Sequence, residues 1–589
     1  MRGFFLAFII ESTKKMKKRI LYSEANYAVM VRKNGYFVDK TEYIARLENV
    51  ENPVFLRPRR FGKSLLCTML EHYYSDLYKD QFDELFGHTW IGQNPTPLHN
   101  SFFVLHLDFS TVETGEMAVM EKSFNSTVNL ELDNLIHDHA DLFKKKISID
   151  HDNSASENCK QVLKNIDQSK TLKLYIIIDE YDNFANQLIT GHKDHLYKKL
   201  MTDEGFLKTF FKVIKEGRKT GAIHNVYITG VLPITIDELA SGFNIANFIT
   251  LNPTFENTIG FTQAEVDALL DEIYADYGFD PATRSQTDAL IKTNYNGYHF
   301  VKPDGDALYN STSLIYFLDY FTQQGEYPEY LTDLNLKTDL EWVRRITGST
   351  PANTREFVEH LLLKGSIGFD KIFLISKFSM SQFFEKGFFP ISFFYLGMLT
   401  MESRFTLKLP NLNMQRIFVE YFNELHHIDV STRYTDMMRT FVNDLDLKAL
   451  FAGYWKEYVS QLPAPIFSQV NENFYRTTFY ELCSRYLSPW FTWNVERAYP
   501  RGQTDLEFVG KFNECFAGVR MVIEFKYFSN AQFEKFGVSS QAFELRPEDA
   551  EQIDGYVAGL NQEYPEAKVT RHVIYCFGNK GFKVFDVGR

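Results

Sequence analysis

Continuous apolar runs alternate with segments of helical spacing through the first half of the chain. Runs of this kind are typical of parallel strands that are buried on both faces of a sheet. Apolar positions at helical spacing lie between the runs, for example at 64–74 and 206–216. Strands that alternate with helices predict a layered α/β domain. The expected strands are 52–56, 101–109, 172–179, 225–232 and 248–251.

The pattern turns helical from about residue 255 to residue 450. Thr262 followed by Glu265 predicts a capped helix start. Helical spacing recurs at 312–322, 353–365 and 432–460. Strand patterns return after about residue 465, in FTWNVERAY, TDLEFVG, GVRMVIEFKYF and RHVIYCFG. The end of the chain is therefore predicted to be a second α/β or α+β domain.

Two further stretches lead to specific expectations. The polar stretch 148–170 predicts an exposed insertion in the first α/β domain. The apolar stretch 388–401 contains a proline and is too short to span a bilayer, so it predicts a buried helix. We expect a division into an N-terminal tail (1–20), a first α/β domain (21–254), a helical lid or spacer (255–464) and a C-terminal domain (465–589).

Composition and charge narrow the functional classes. The chain has 589 residues, of which 44% are hydrophobic, as suits a globular protein with a large core. Its formal net charge of −13 argues against loose coating of nucleic acid, because such binding depends on neutralising phosphates. A nucleic-acid site would have to be a local basic groove on an acidic body. The five cysteines are far apart and include no C-x-x-C pair, which argues against disulfide frameworks and zinc sites and indicates a reducing compartment.

The N-terminus carries an apolar run at residues 3–10. It resembles the apolar core of a short signal peptide, but the charges follow it and no small-residue cleavage site comes after it. It is also too short to cross a bilayer. Translation that begins at Met16 is the alternative interpretation. We expect no membrane association and a cytoplasmic location.

A basic loop, FLRPRRFGKS (55–64), follows the first predicted strand. Gly62, Lys63 and Ser64 match the end of the phosphate-binding pattern G-x-x-x-x-G-K-[ST], but Arg57 stands at the first glycine of that pattern. In such loops, backbone N–H groups and a helix N-terminus hold the phosphates. Lys63 would reach the β- and γ-phosphates, and Ser64 would ligate Mg²⁺. Taken alone, this stretch is also compatible with a basic surface patch.

A second acidic element supports a nucleotide site. The apolar strand that ends at Ile178 is followed by Asp179 and Glu180, which is a Walker B pattern. Asp179 would hold the Mg²⁺ shell, and Glu180 would polarise the attacking water. Thr229 ends a third strand and could sense the γ-phosphate, although it could equally be a strand cap.

Together these motifs resemble the bacterial AAA-ATPase-like family, whose members pair an ATPase-like region with a C-terminal nuclease-like domain. The resemblance implies a P-loop NTPase fold of the AAA-like, additional-strand type, in which the sensor strand separates the P-loop strand from the Walker B strand. It also implies that an arginine in place of the first glycine is a family trait. The stretches that carry the resemblance are GYFVDKTEYI (35–44), FLRPRRFGKSLL (55–66), IIIDEYDN (176–183), YITGV (227–231), GFT (260–262), YNGYHF (295–300) and LYNSTSLIYFL (308–318).

ATP and Mg²⁺ are the ligands that this resemblance implies. Since Pro58 restricts the turn and no glycine stands at position 57, we expect the backbone to wrap the phosphates less closely than in a standard loop. Arg59 or Arg60 is then expected to contact the phosphates or the Walker B acids. The candidate nucleotide-binding residues are Arg59, Arg60, Phe61, Gly62, Lys63, Ser64, Leu65, Asp179 and Thr229, with Ser64 and Asp179 at Mg²⁺ and Glu180 as the catalytic acid.

Near the C-terminus, Asp505 begins one predicted strand, and Glu524 and Lys526 lie on the next. Residues two apart on a strand face the same side, so Glu524 and Lys526 share a face that Asp505 can join. The two carboxylates would hold Mg²⁺ or Mn²⁺, and Lys526 would stabilise the charge that develops on phosphorus. The spacing alone is also compatible with a cross-strand salt bridge on a solvated face.

This C-terminal pattern resembles the PD-(D/E)XK nuclease superfamily as it occurs in ATPase-linked proteins. Glu472 in ENFYR is similar to the helix acid of that family's E-x-F-Y-H motif, and Gln552 in EQIDGY is similar to its Q-x-x-x-Y motif. Arg476 stands where a histidine is common, and RGQTD (501–505) replaces the usual G-x-G-R-x-D. The resemblance implies a restriction-endonuclease-like α/β domain. Its candidate catalytic residues are Asp505, Glu524, Lys526, Glu472 and Gln552, with Asp505 and Glu524 at the metal.

Three functional hypotheses follow. The first is an ATP-binding and ATP-hydrolysing protein whose metal-dependent nuclease domain cleaves DNA in preference to RNA. The second is a nucleotide-gated switch whose nuclease fold binds nucleic acid or protein without cutting. The third concerns biological role, namely a host-directed effector that is delivered into a host cell, and it is compatible with the first. The sequence leaves the oligomeric state open.

Overall fold

Eight segments of the chain are described by its computed structural model. They are 17–143, 147–201, 205–233, 243–332, 351–375, 379–499, 502–563 and 565–588. Most of the predicted N-terminal tail, with Met1 and Met16, lies outside the described residues.

Thirteen strands occur in the described segments. Their bounds are β1 Pro53–Leu56, β2 Phe102–Asp108, β3 Lys173–Asp179, β4 Ile223–Gly230, β5 Asn247–Phe248, β6 Ser366–Gly368, β7 Thr400–Met401, β8 Thr406–Lys408, β9 Phe491–Tyr499, β10 Gly502–Gly510, β11 Val519–Phe528, β12 Lys568–Phe577 and β13 Phe582–Asp586.

The described segments also contain α-helices between the strands. Their bounds are α1 Tyr27–Arg32, α2 Glu42–Leu47, α3 Lys63–Tyr74, α4 Phe82–Phe86, α5 Trp90–Gln93, α6 Met117–Asp138, α7 Ala155–Ser169, α8 Asn183–Thr190, α9 Asp194–Leu200, α10 Phe206–Thr220, α11 Gln263–Tyr277, α12 Arg284–Tyr295, α13 Ser311–Gln324, α14 Pro351–Lys364, α15 Ile372–Ile375, α16 Met380–Phe383, α17 Phe389–Tyr395, α18 Leu412–Leu425, α19 Thr435–Asp444, α20 Leu447–Glu457, α21 Glu472–Leu487, α22 Asn530–Glu534 and α23 Pro547–Glu563.

The first sheet is parallel, with strands in the order β2-β3-β4-β1-β5. The strand before the phosphate-loop motif, β1, and the Walker B strand, β3, are separated by β4, which carries Thr229. This order confirms the expected additional-strand P-loop fold. Because the carboxyl ends of parallel strands meet at one edge of a sheet, the loop after β1 and the acids after β3 are brought to the same edge.

The second sheet is mixed, with strands in the order β13-β12-β11-β10-β9. Its strands β9, β10 and β11 form an antiparallel meander, and β12 joins β11 in parallel after the crossover through α23. The helix α21 precedes the meander. This helix, meander, helix and parallel strand form the predicted C-terminal α/β domain, to which β13 adds an unpredicted antiparallel edge. A third, small antiparallel sheet has the order β6-β8-β7.

Contacts divide the chain into two compact units. The N-terminal unit contains 1–279, 299–322 and 370–397, and the C-terminal unit contains 280–298, 323–369 and 398–589. The segment 255–464, expected to be one helical region, therefore contributes to both units: α11 belongs to the first, and α12, α14 and α18 belong to the second. The domain boundaries after residues 20, 254 and 464 remain a prediction.

The expectation of an exposed insertion at 148–170 is wrong. Helix α7 occupies most of this stretch and packs against α6 and α10. It begins after Ser154, whose side chain accepts a hydrogen bond from the Glu157 N–H. Cys159, Val162 and Ile166 are buried in the N-terminal unit. These apolar positions recur at helical spacing, but the many polar residues between them lowered the average hydropathy of the stretch.

Other local expectations are confirmed or refined. Thr262 and Glu265 form the reciprocal capping box at the start of α11. Within 388–401, α17 is buried along its whole length. The predicted helix at 432–460 is two helices, because Leu445 adopts a left-handed φ of 53° and Asp446 caps α20. None of the described helices combines the length and the apolar character needed to cross a membrane.

Candidate functional site

The loop after β1 has the geometry of an anion-binding loop. Helix α3 begins at Lys63, so its first N–H groups face the end of the loop. Gly62 caps the helix with a φ of 98°, a conformation that favours glycine. Arg60 also has a positive φ, 71°. The motif residues therefore fold into a strand, a tight loop and a helix N-terminus, as the sequence predicts.

Arg57, the residue in place of the first glycine, is a buried anchor of this loop. Its side chain is 2% exposed and lies between the rings of Phe55 and Phe300, with its guanidinium carbon 4.6 and 4.5 Å from their centroids. Its Nη1 donates to the carbonyl of Thr250 at 2.8 Å and to that of Leu56 at 3.1 Å. Burial lowers the pKa of Arg57 to about 10. Arg57 therefore replaces the glycine with a structural tether and not with a phosphate contact.

Two carbonyl groups of the loop accept hydrogen bonds from residues outside the loop. The hydroxyl of Ser311 donates to the carbonyl of Phe61 at 3.1 Å, and the N–H of Thr312 donates to that of Arg60 at 3.0 Å. Gly260 N–H also donates to the Phe61 carbonyl, at 3.2 Å. Because these carbonyls are hydrogen-bonded to neighbouring segments, the surrounding chain fixes the shape of the loop. The first glycine of the standard loop pattern is therefore not needed to hold this loop in shape.

Lys63 and Ser64 face the Walker B acids. The Nζ of Lys63 lies 3.7 Å from Oε1 of Glu180 and donates to the carbonyl of Pro58 at 3.2 Å. Ser64 is hydrogen-bonded to the carboxylate of Asp179. Burial raises the pKa of Asp179, and the neighbouring charge of Glu180 adds to that effect. A lysine, a hydroxyl and two acids at the N-terminus of a helix fit a nucleotide phosphate with a divalent cation.

Thr229 has a structural partner. It is fully buried, and its hydroxyl donates to the carbonyl of Phe55 at 2.7 Å. This contact is the one that the strand-cap interpretation requires, and the sensor role remains a prediction. Asp182 was missed by the sequence reasoning, although it lies within the IIIDEYDN motif. Its buried carboxylate accepts from the N–H groups of Val231 and Leu232 at 3.2 and 2.7 Å, so it ties the Walker B turn to the end of β4.

A cavity of about 310 Å³ adjoins the loop. Its lining includes Glu180 and the run 60–65, whereas Arg59, Asp179 and Thr229 are not among the described residues that line it. The rest of the lining is largely apolar and comes from chain segments that the sequence reasoning left without a site role. These lining residues are Leu21, Ser23, Glu24, Ala25, Met30, Tyr36, Phe37, Val38, Lys40, Leu66, Met69, Thr258, Ile259, Gly260, Phe261, Ser311, Thr312 and Ile315. The motifs GYFVDKTEYI and GFT contain several of these residues, so the sequence carried a signal that they could belong to a site.

Asp505 and Glu524 lie opposite each other on two paired strands of the second sheet. β10 and β11 run antiparallel, and Leu506 pairs with Ile523, which places Asp505 across from Glu524. Strand alternation puts Lys526 on the same face as Glu524. The structure thus brings together the acids and the lysine that the sequence spacing predicts.

Among the residues that the structure describes, one oxygen of the Glu524 carboxylate has a hydrogen-bond partner and the other has none. Oε1 accepts from Nζ of Lys526 at 2.8 Å and from Nε2 of Gln552 at 2.5 Å. Oε2 is buried and has no hydrogen-bond partner among the described residues. An unpaired buried carboxylate oxygen is unfavourable by itself, and oxygen is the ligand type that Mg²⁺ and Mn²⁺ prefer. The residues at this position therefore fit a hard divalent cation.

The carboxyl groups around Glu524 oppose one another electrostatically. Burial, with the charge of Asp505 as the next cause, raises the pKa of Glu472 and of Glu524 to about 7. Burial also raises the pKa of Asp505, while the Phe525 N–H, at 2.7 Å from Oδ2, and the Arg476 guanidinium lower it. Neighbouring carboxylates repel one another and so raise one another's pKa values. A bound cation offsets this repulsion.

The ion pair between Lys526 and Glu524 is the contact that a salt-bridge interpretation of the motif requires. It does not lie on a solvated face, however, because the Glu524 side chain is 3% exposed and that of Lys526 is 20% exposed. Lys526 also donates to Oε1 of Gln552 at 3.0 Å. The buried Glu524 therefore forms a network with the partly buried Lys526 and the exposed Gln552, and a simple surface salt bridge does not describe it.

Sequence reasoning missed the structural partners of this network. Nη1 of Arg476 lies 3.6 Å from the Asp505 carboxylate, and Nη2 lies 2.7 Å from that of Glu496. The hydroxyl of Tyr556 accepts a hydrogen bond from Gln552 at 2.7 Å. The sequence motifs already contained Tyr556 and Arg476. Tyr556 ends the Q-x-x-x-Y motif, and Arg476 occupies the motif position where a histidine is common.

Comparisons with known proteins agree with this geometry. A family model described as "Predicted AAA-ATPase" matches residues 22–240, and a model described as "PD-(D/E)XK nuclease superfamily" matches residues 470–586. An uncharacterised protein encoded in the vnfD 5′ region of Azotobacter chroococcum is 24% identical over 312 residues, covering 51% of this chain. The match spans 52% of that relative, about half its length.

Two solved structures are similar to the chain at low identity. A Walker-type ATPase of Pyrococcus abyssi aligns with a TM-score of 0.38 and 9% identity, covering 66% of this chain and 97% of that one. The ORC2 protein of Aeropyrum pernix, solved in ADPNP and ADP complexes, aligns with a TM-score of 0.32 and 10% identity, covering 66% of this chain and 91% of that one.

The family models and the two sheets lead to the same assignment. The first model covers β1 to β4 with the P-loop and Walker B motifs, and the second covers α21 to β13 with the paired acids and the lysine. The chain carries a predicted AAA-ATPase domain at residues 22–240 and a domain of the PD-(D/E)XK nuclease superfamily at residues 470–586.

Proposed function

We propose that the chain binds and hydrolyses ATP at its N-terminal P-loop and cleaves phosphodiester bonds, of DNA in preference to RNA, at its C-terminal site. Both reactions would depend on a divalent cation. The observation that carries the nuclease proposal is the buried Oε2 of Glu524, which lies beside Asp505 and Lys526 and has no hydrogen-bond partner in the described part of the chain. A fold retained only for packing has no physical reason to keep a carboxylate oxygen buried without a donor.

At the nuclease site, Asp505 and Glu524 are the residues that would hold Mg²⁺ or Mn²⁺. The bound cation would lower the pKa of a water and neutralise the scissile phosphate. Lys526, held by Gln552, is placed to stabilise the negative charge that develops on phosphorus. Glu472 holds a proton near neutral pH, since its pKa is raised to about 7 by burial and by Asp505. It is suited to accept or donate a proton at the site.

At the nucleotide site, Lys63 would hold the β- and γ-phosphates, and Ser64 and Asp179 would hold Mg²⁺. Glu180 lies within 4 Å of Lys63 and lines the same cavity, which suits it to orient the attacking water. The apolar part of the cavity would take the nucleotide base. Nucleic acid would bind at a local basic surface of the C-terminal domain, because the chain as a whole is acidic.

The test is cleavage of supercoiled plasmid DNA and of RNA by the full chain, with Mg²⁺ or Mn²⁺ and with or without ATP. We expect metal-dependent DNA cleavage that EDTA abolishes and that Lys526→Ala loses. Gln532→Ala is the control, because Gln532 is exposed on the short helix after the same strand, where its side chain accepts a hydrogen bond from the Ser529 N–H. Persistence of full cleavage in Lys526→Ala would refute the assignment of this site.

A second candidate function is a nucleotide-gated binding protein that does not cut. It is favoured by the contacts of Lys526, whose ammonium is engaged by both Glu524 and Gln552. The same assay separates the two candidates when it is run beside a measurement of ATP binding. Nucleotide binding that Lys63→Ala removes, with no cleavage of DNA or RNA under any condition, would refute the nuclease and support the switch. A host-directed role stays a hypothesis about where either activity is used.

A further inference from the structure

Cys67, His106 and Asp179 come together behind the phosphate loop. Their ligand atoms, the Cys67 thiol sulfur, a His106 ring nitrogen and an Asp179 carboxylate oxygen, all lie within 4.8 Å of one another. We infer that these three residues form a binding site for a thiophilic divalent cation of the Zn²⁺ class. The site is distinct in its ligands from the Mg²⁺ site proposed at the P-loop, with which it shares only Asp179.

The fold explains why these residues meet. Ser64, Cys67 and Glu71 follow one another at spacings of three and four on α3, so they lie along one face of that helix. On the sheet, Asp108 of β2 pairs with Asp179 of β3, which places His106 two residues earlier on the same face. Helix α3 packs against β2 and β3. The three ligands are more than 30 residues apart in sequence, so no short sequence motif contains them.

His106 is oriented as a metal ligand. Its Nδ1 lies 2.7 Å from Oε2 of Glu71, which fixes the ring and leaves Nε2 to act as the ligand. Nε2 is buried and has no hydrogen-bond partner among the described residues. A carboxylate that holds one nitrogen while the other is left free is the usual surrounding of a metal-bound histidine. This contact is independent of the proximity of the three ligand atoms.

The ligand set decides the class of cation. A thiolate and an imidazole favour Zn²⁺ and similar metals over Mg²⁺ or Ca²⁺, which prefer oxygen ligands only. Three protein ligands leave a fourth position of a tetrahedral site for water. Binding would release the Cys67 thiol proton to solvent, since the thiolate is the ligand form.

An entry path leads to His106 from solvent. A cleft of about 520 Å³ is lined by His106 itself and by three acids, Glu71, Asp108 and Glu131. An acidic cleft raises the local concentration of cations. Because Asp179 is also the residue proposed to hold Mg²⁺, a thiophilic metal here would compete with nucleotide turnover. That last consequence rests on the proposed function, whereas the binding itself does not.

The test is Co²⁺ binding to the untagged, EDTA-treated full chain without nucleotide. We expect one Co²⁺ per chain to bind with a thiolate charge-transfer absorption band, which Zn²⁺ displaces, whereas Co²⁺ held by the carboxylates of the proposed nuclease site gives no such band. Cys67→Ser should abolish the band, and Glu71→Gln should weaken affinity by about 10- to 100-fold while the band persists at saturation. His106→Gln is the second ligand variant, in case Cys67→Ser does not fold, and it should weaken binding at least as much as Glu71→Gln.

Cys159→Ser is the matched control, because Cys159 is equally buried in the same unit but lies on α7, away from these ligands. It should bind Co²⁺ as the unaltered chain does. Absence of a saturable thiolate band, or a band that survives in both Cys67→Ser and His106→Gln, would overturn the inference. Since no nucleotide is present, these outcomes are independent of whether the chain binds or hydrolyses ATP.

Discussion

Lys63 and Glu180 form an ion pair, with Nζ of Lys63 3.7 Å from Oε1 of Glu180. Both side chains line the cavity beside the phosphate loop, and Glu180 has a left-handed φ of 48°. The turn after β3 thus points the second Walker B acid at the lysine of the loop. A strained backbone at a non-glycine residue is maintained only where the surrounding structure holds it, and such positions cluster at functional sites.

The two members of this pair are expected to have separable effects. Lys63→Ala removes the charge that is proposed to contact the phosphates and should weaken ATP binding by roughly 10- to 100-fold. Glu180→Gln keeps the shape of the site and should leave ATP binding within a few-fold, while ATP hydrolysis falls by about 10²- to 10⁴-fold. Calorimetric titration with ATP and a phosphate-release assay measure the two effects. Equal loss of binding in both variants would contradict the assignment of Glu180 to water.

Arg57→Gly restores the first glycine of the usual loop pattern, and we expect it to be harmful. It would leave the carbonyls of Leu56 and Thr250 without their donor and open a cavity between two phenylalanine rings. The cost should be roughly 3–5 kcal/mol, which lowers the apparent Tm of the N-terminal unit by on the order of 10 °C.

Arg59→Ala is the control for that prediction, because Arg59 is only partly buried and is the neighbouring arginine of the same loop. Its Tm should stay close to that of the unaltered chain in scanning calorimetry. An Arg57→Gly chain that melts at the original temperature would show that the tether is dispensable.

Divalent-cation binding at the nuclease site should weaken as the pH falls below 7. The pKa values of Glu472 and Glu524 are raised to about 7 by burial and by Asp505, so at pH 6 both carboxyls are largely protonated. A cation must displace those protons, which lowers Mn²⁺ affinity by about tenfold per pH unit for each carboxyl that titrates. Mn²⁺ titration at pH 6, 7 and 8 measures this.

The same shifts set the sign of the stability change without metal. A carboxyl with a raised folded-state pKa binds more protons in the folded state, so stability falls as the pH rises from about 4.5 to about 7. Glu472→Gln should reduce both pH dependences. Mn²⁺ affinity that is equal at pH 6 and pH 8 would contradict the clustering of these acids.

Arg476 and Glu496 should shift the pH profile of Mn²⁺ binding in opposite directions. The positive charge of Arg476 holds the pKa of Asp505 down against the effect of burial, and the negative charge of Glu496 holds it up. Arg476→Gln should therefore move the midpoint of the profile to higher pH, and Glu496→Gln should move it to lower pH. A role of Arg476 in packing alone would lower stability in the first variant and leave both midpoints unchanged.

Much of the fold was readable along the chain. The apolar runs before the loop and before Asp179 predicted β1 and β3, because a strand buried on both faces must be apolar throughout. The spacing of Asp505, Glu524 and Lys526 predicted their common face, because side chains alternate on a strand. The expectation for 148–170 is wrong because several of its buried positions are themselves polar, such as Ser156 and Asn158, so its hydropathy does not reveal its burial.

The sequence by itself determined the two motifs, their order and the residue types available to each site, since these depend on local spacing and side-chain chemistry. Only the tertiary structure decided which partners those residues meet. It made Arg57 a buried tether to Thr250, brought Cys67 to His106, and left Oε2 of Glu524 without a partner among the described segments. The physical reason is that each of these contacts joins residues that are distant along the chain, and such contacts depend on how helices and strands pack.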